Sequence, residues 1–352
     1  MTRDELLEMV HGGDVVSEAD CSGLDLSGAD LGGGIFERVT FQNTQFVGAT
    51  IEESAFMNCN FVNANFNRAH MRLTHVLDGQ LHGANFADAY FANCSFLRGD
   101  LTGVNFSGSN LTLAKFVECN LTKVIFDRSN LDRGAILQST LAGATFQGCQ
   151  LRQTAILETD LSQSVLEGAV CFNTIFLKSI LKGLKLTGLQ LRATQFIGAD
   201  LSGADFSGAD LTQCNFKDAN LTGAILLNCK LGNAIFPNAN LTQAKLMGSF
   251  LQQAIFLEAN VSQADFTGCA LQQAHFKKAV CVGTVFTYAD LTYGDFSHAD
   301  LTHADLRHTN LFRAVLHRIK EKGANWDGSS RALALETDGE VAKSEDWLLA
   351  TK

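Results

Sequence analysis

From Leu26 to Leu316 every fifth residue is apolar, a run of 59 five-residue units without a slip in register. A typical stretch reads Ala199-Asp200-Leu201-Ser202-Gly203, then Ala204-Asp205-Phe206-Ser207-Gly208. A period of five fits neither an α-helix nor a long flat strand. The large apolar residue, here the centre of each unit, follows by two places a small one such as Ala64, Cys94, Ala204, Ala259 or Thr284. None of these 118 positions holds Asp, Glu, Lys, Arg, Asn, Gln or His, although 18% of the chain is charged. Desolvating an unpaired charge is costly, so both positions must face one continuous dry core. The residue between them is often Asp or Asn (Asp30, Asn65, Asn120, Asp210) and must point outward. In-out-in over three residues is strand alternation, which leaves two residues to turn the chain.

This pattern resembles the pentapeptide-repeat family over about 290 of the 352 residues. The resemblance implies an all-β fold, a right-handed quadrilateral β-helix with four units per coil. The residues support a square section independently. Of 26 Phe, 23 sit at centres, and 20 of those fall on alternate units, in the columns of Phe66 and Phe116. Leu dominates the other columns, as at Leu101, Leu121, Leu201 and Leu211, so opposite faces carry like residues. About 15 coils stacked at about 4.8 Å make a solenoid roughly 70 Å long. The expected organisation is an N-terminal cap over 1–20, a β-helix over 21–326 and an irregular acidic tail over 327–352, one elongated array rather than several globular domains.

The ten Cys suggest a disulfide or metal framework until they are placed in register. Cys59, Cys94, Cys119, Cys149, Cys214, Cys229 and Cys269 fall at small inward positions, and Cys21, Cys171 and Cys281 at centres. Each replaces Ala or Leu in the core, where free Cys acts as a small hydrophobe, as suits a reducing compartment. The net charge of −10 is concentrated at the ends: residues 1–20 carry −5 and residues 327–352 carry −3. The repeats themselves are nearly neutral and lack a basic stripe, which argues against direct nucleic-acid binding. No apolar run is long enough to span a membrane, and no secretory leader opens the chain, so a cytoplasmic location is expected, with leaderless export as the alternative.

A solenoid must close its open ends. Thr2 and Glu5 form a capping box, Leu6, Leu7 and Val10 supply an apolar face, and Gly12-Gly13 ends what reads as a short helix over the first coil. After Leu316 the period fails at Glu321 and returns once at Ala324-Asn325-Trp326, which makes Trp326 a candidate lid or dimer contact. The tail beyond Asp327 reads as flexible, with Trp347-Leu348-Leu349 as a candidate docking segment.

Nothing in the sequence resembles a catalytic constellation, and no cofactor or metal site is expected. His298, His303 and His308 fall on three successive units and so on three faces, which argues against a shared metal. The outward positions are more informative. Met57, Leu77, Leu97, Val117, Leu137, Leu157, Leu177 and Ile197 follow the centre at 20-residue intervals and draw an apolar stripe down one face. Ala135, Ala155 and Ile175 widen it. Contiguous exposed apolar surface marks a binding site, so the stripe is the candidate interface for a protein partner or for a second copy in a homodimer. Stacking of these side chains along the ladder is the purely structural alternative.

The functional expectation is a non-catalytic bacterial scaffold or adaptor. Leu6-Leu7, Gly12-Gly13 and Leu24-Asp25-Leu26-Ser27-Gly28-Ala29-Asp30-Leu31 resemble the opening of pentapeptide-repeat proteins associated with type VI secretion, which implies an accessory or effector-loading role. The chain is also similar in repeat to quinolone-resistance pentapeptide proteins, which implies DNA mimicry and protection of DNA gyrase or another topoisomerase. It departs from them in length, unbroken register and nearly neutral repeats. A secreted effector that binds a host protein is the third reading.

Overall fold

The computed structural model describes residues 1–350, with side chains through Leu348. The chain forms two compact units, Met1–Ile180 and Leu181–Lys352.

The first unit opens with helix α1 (Arg3–Gly12). Thr2 accepts from the Glu5 amide while the Glu5 carboxylate accepts from the Thr2 amide, so two orphan donors are satisfied at once. Gly13, at φ 78°, takes the left-handed conformation that ends the helix. Leu6 and Val10 are buried and Leu7 is half-buried, and the helix packs against strand β1. Eight three-residue strands follow: β1 (Val15–Ser17), β2 (Ile35–Glu37), β3 (Ala55–Met57), β4 (His75–Leu77), β5 (Ser95–Leu97), β6 (Lys115–Val117), β7 (Ala135–Leu137) and β8 (Ala155–Leu157). They pair in chain order as one parallel sheet, each shifted by 20 residues from the last. Three further columns of single bridges run beside it, as in Asp20↔Thr40, Asp25↔Gln45 and Asp30↔Thr50. Four columns per 20 residues give the four-sided coil that the repeat implied.

The same 20-residue register runs through the second unit as single bridges, from Lys185↔Asp205 to Val315↔Leu335. The continuous sheet thus spans about seven turns, where about 15 coils were expected. The reason is turn type. On most bridge-only turns the amide three residues past the centre bonds back to the centre's carbonyl, as in Ala29→Leu26 (3.0 Å) and Ala64→Phe61 (2.9 Å). After strands β3 to β8 the turn stays open. The Cys119 amide, for example, donates to Ser139 Oγ at 3.0 Å instead. An open turn leaves the residue after the centre extended, so three residues pair rather than one.

The core is built from aromatic stacks. In the second unit Phe196, Phe216, Phe236, Phe256, Phe276 and Phe296 stack face to face at 4.6–5.1 Å. The opposite column meets this one edge-on, as Phe266 does Phe276 at 84°. The small inward residues also bond between coils. Thr44, Thr154 and Thr284 hydroxyls donate to carbonyls 23 residues earlier, and the Cys214 and Cys269 thiols occupy the same rung at 2.9 and 3.0 Å. All ten Cys are buried and none is in a disulfide.

The tail differs from the irregular, flexible segment expected. A 3-10 turn (Arg331–Leu333) leads into helix α2 (Gly339–Ala350). Ion pairs and hydrogen bonds to the last coils fix that helix, a long-range pattern the repeat cannot announce. Of the Trp347-Leu348-Leu349 segment, Trp347 and Leu348 are exposed, and the Leu349 side chain lies outside the described residues.

Candidate interaction surface

The parallel register brings the first six residues of the apolar stripe into one ladder. Met57, Leu77, Leu97, Val117, Leu137 and Leu157 are the final residues of β3 to β8 and pair directly in sequence. Parallel neighbours one strand apart cover each other's flanks, so all six are half-buried rather than fully exposed. Leu177 is also half-buried. Ile175, bridged to Ala155, is 37% exposed and lies with the ladder in the first unit. Ile197 belongs to the second unit and is half-buried. Ala135 and Ala155 present flat flanks beside Leu137 and Leu157.

One residue further on, a polar ladder borders the apolar one. Arg98 clasps Asp78 with its Nε and Nη2 at 2.9 and 3.0 Å, Gln138 reaches Glu158 at 3.5 Å, and Lys178 approaches Glu158 at 3.9 Å. The Arg98 guanidinium holds the Asp78 carboxyl below the usual carboxylate range. A shallow cleft of about 430 Å³, lined by Gln138, Leu141, Glu158 and Gln163, opens beside this border. An apolar strip with a charged rim is the anatomy of a protein interface.

Elsewhere the outward polar residues are occupied by the fold. Asp20, Asp25, Asp200 and Asp210 accept, through Oδ1, the amide two residues on at 2.9–3.1 Å. These Asp side chains pin turns. The inward thiols are equally committed: burial pushes Cys94 and Cys149 up to about 12, and Cys59, Cys119 and Cys229 to about 11.

A second constellation, in the second unit, escaped sequence reasoning. His298 Nε2 lies 3.0 Å from Glu345 Oε1, and buried His317 Nε2 lies 3.2 Å from Glu345 Oε2. Arg318 adds its Nε at 3.3 Å from the same carboxylate and reaches Asp346 at 2.7 Å. Hydrogen bonds from His317, then from His298, hold Glu345 below the usual carboxylate range against partial desolvation. The His298 amide donates to the His317 carbonyl at 2.8 Å, so these two were neighbours by register alone. Glu345 sits in the aperiodic tail and left no such signal. At the same end Trp326 is half-buried, with the Arg331 guanidinium 4.4 Å above its ring.

No curated protein matches the chain significantly. Among solved structures it is similar to HetL, a pentapeptide-repeat protein involved in heterocyst differentiation regulation from Nostoc sp. strain PCC 7120. That match has 24% identity, covers 69% of this chain and 92% of that one, and has a TM-score of 0.25. Full-length QnrB1, a plasmid-mediated fluoroquinolone resistance protein, matches at 20% identity over 54% of this chain and 85% of its own, with a TM-score of 0.21. Rfr23 from the cyanobacterium Cyanothece 51142 matches at 22% identity over 45% and 91%, with a TM-score of 0.12. The family model for a pentapeptide repeat region matches residues 29–106 and 190–266, and the model for eight pentapeptide repeats matches 100–133 and 279–318. With well over half of its length matched and its coils in 20-residue register, the chain belongs to the pentapeptide-repeat family.

Proposed function

We propose that the protein is a non-catalytic scaffold that holds a protein partner along the open-turn face of its first unit. The observation that carries this reading is the register-locked ladder from Met57 to Leu157, apolar along its length and bordered by ion-paired side chains. Its size selects the kind of partner. Six strand spacings from Met57 to Leu177 span about 29 Å, and a strip about 10 Å wide then offers roughly 300 Å². A stable complex buries about 800 Å² on each side, so the strip alone is too narrow for a permanent homodimer. It suits an extended apolar segment of another protein, gripped transiently. Loading of a secreted effector and restraint of a topoisomerase are two settings in which such a grip would serve.

The test replaces Leu137 and Leu157 by Asp and compares the variant with the intact chain in crosslinked capture from the native cell and in light scattering. Loss of a specific captured protein, with far-UV circular dichroism unchanged, supports the scaffold reading. Loss of a dimer supports self-association instead. Unchanged capture and mass refute the stripe.

A further inference from the structure

Helix α2 is held to the second unit in an unusual way. Among the described residues its larger apolar side chains are open to solvent, with Val341 45%, Trp347 67% and Leu348 55% exposed. A 12-residue helix is marginal in water on its own, and little apolar burial secures this one. What holds it is polar: Glu345 against His298 and His317, and Arg318 against Glu345, Asp346 and the Ala342 carbonyl.

The polar cluster has the composition of a metal centre. The nearest ligand atoms of His298, His317 and Glu345 all lie within 4.8 Å of one another. Zinc bonds of about 2.0–2.2 Å in tetrahedral geometry require ligand atoms about 3.4 Å apart. His298 Nε2 lies 3.0 Å from Glu345 Oε1 and His317 Nε2 lies 3.2 Å from Oε2, both near that edge, although only one of the two oxygens can serve both imidazoles. The site also faces a cleft of about 520 Å³ lined by Lys277, Ser297, Val315, Asp338 and Val341, which leaves room for a fourth, water ligand. Two His and one carboxylate with an open position is an established zinc ligand set.

We propose that His298 Nε2, His317 Nε2 and the Glu345 carboxylate bind a zinc ion that staples α2 to the last coils. The surrounding groups fit, at one stated cost. Arg318 stays on the Glu345 oxygen that the metal does not take, as ligating carboxylates are usually hydrogen-bonded from outside. Without metal, the Asp338 amide donates to His317 Nδ1 at 3.3 Å, which places the ring proton on Nε2. Zinc at Nε2 moves that proton to Nδ1, so the long Asp338 amide contact must open. Lys277 in the cleft and Arg318 are the cations that oppose the ion, and Glu345, Asp338 and Asp346 are the anions that favour it.

The test uses the full chain, stripped of metal and titrated with Zn²⁺ alone, beside His298→Ala and Glu345→Gln. The expected result is saturable uptake of one Zn²⁺ per chain, weakened at least about ten-fold in each variant. Bound Zn²⁺ is also expected to slow tryptic cleavage after Lys343, an exposed site within α2, in the parent chain but not in Glu345→Gln. Should His298→Ala disturb the coils, Glu345→Gln, which alters only α2, carries the comparison. No uptake at one equivalent, affinity unchanged in Glu345→Gln, or uptake without protection of Lys343 overturns the proposal. Each outcome is independent of the apolar ladder, which lies in the other unit.

Discussion

Nearly every unit turns through a residue at positive φ, and that conformation should be measurable as strain. Among the described residues, 41 that are not Gly adopt it, beside 22 Gly. Gly203 (φ +65°) and Ala193 (φ +57°) occupy equivalent turn positions in the second unit, and each donates its amide to the next coil at 2.9 Å. A Cβ added at Gly203 meets nothing within 4 Å, so Gly203→Ala isolates the backbone term. The left-handed region costs an L-residue about 1–2 kcal/mol. Removing Gly from the unfolded chain returns about 0.5–1 kcal/mol. The net expectation is a loss of about 0.5–1 kcal/mol for Gly203→Ala and a gain of about 0.5 kcal/mol for Ala193→Gly, whose half-buried methyl offsets part of the benefit. Gly248→Ala shares the conformation at φ +69°, but its Cβ would stand 2.6 Å from Asn228 Oδ1, so the Asn228 side chain must also swing aside and the cost should be no smaller than that of Gly203→Ala. Repeat arrays open locally, so native-state hydrogen exchange of the affected coil is a better readout than one global midpoint. Opposite signs for Gly203→Ala and Ala193→Gly support the argument. A neutral Gly203→Ala, or a destabilising Ala193→Gly, refutes it.

Three other outcomes follow from the core and the turns. Ellman's reagent should label none of the ten buried thiols in the native chain and all ten in denaturant, because the core shields them; fast labelling of Cys94 or Cys149, whose pKa burial raises, would contradict the packing. Phe236→Leu keeps most of the volume but breaks two stacks, at 4.8 and 4.7 Å, and should cost about 1–3 kcal/mol by exchange. A loss under about 0.5 kcal/mol would reduce the stacking to shape filling. The Arg307 side chain holds the Asp305 carboxyl below its ordinary value of 3.8, so its contribution is present above that pH and fades as pH falls through the lowered value. Asp305→Asn should therefore flatten the acid limb of a stability–pH curve, and a curve superimposable on the parent's would show that the pair adds nothing.

The fold was legible because each unit repeats one local rule. Small residue, outward residue and centre sort inside from outside, and 20 of the 23 Phe at centres already marked the facing columns that the rings fill. The same sorting placed the Cys correctly in the core, though not their bonds to carbonyls one coil back. The C-terminal site was not legible. His298 and His317 are ladder neighbours that register could have paired, but His317 lies past the last regular centre, and Glu345 reaches them from a segment with no period. A repeat predicts contacts at its own spacing and is silent about a tail that folds back.

The least legible feature was turn type, and it bears most directly on the apolar ladder. Where Asp or Asn precedes the centre, its Oδ1 takes the amide two residues on, and a Thr there adds its hydroxyl, as Thr112 does to Asn110 and Thr212 to Asp210. Those turns close onto the centre's carbonyl, as Ala114→Leu111 and Cys214→Leu211 do. On the sheet face of the first unit the same position holds Ala55, His75, Ser95, Lys115, Ala135 and Ala155, none of them Asp or Asn; the Ser95 hydroxyl bonds His75 instead, and the turns stay open. Losing the cap permits opening without forcing it: Gln195-Phe196-Ile197 in the second unit still closes, through Ala199→Phe196 at 3.1 Å. The apolar ladder and the open turn therefore share one local cause. An uncapped centre lets the next residue lie extended at strand spacing, where Leu packs well on Leu and Thr has no partner to bond. A binding strip so built can be erased by restoring the cap. Ala135→Asp with Leu137→Thr should close that turn and interrupt the ladder without placing any charge at the Leu137 position itself.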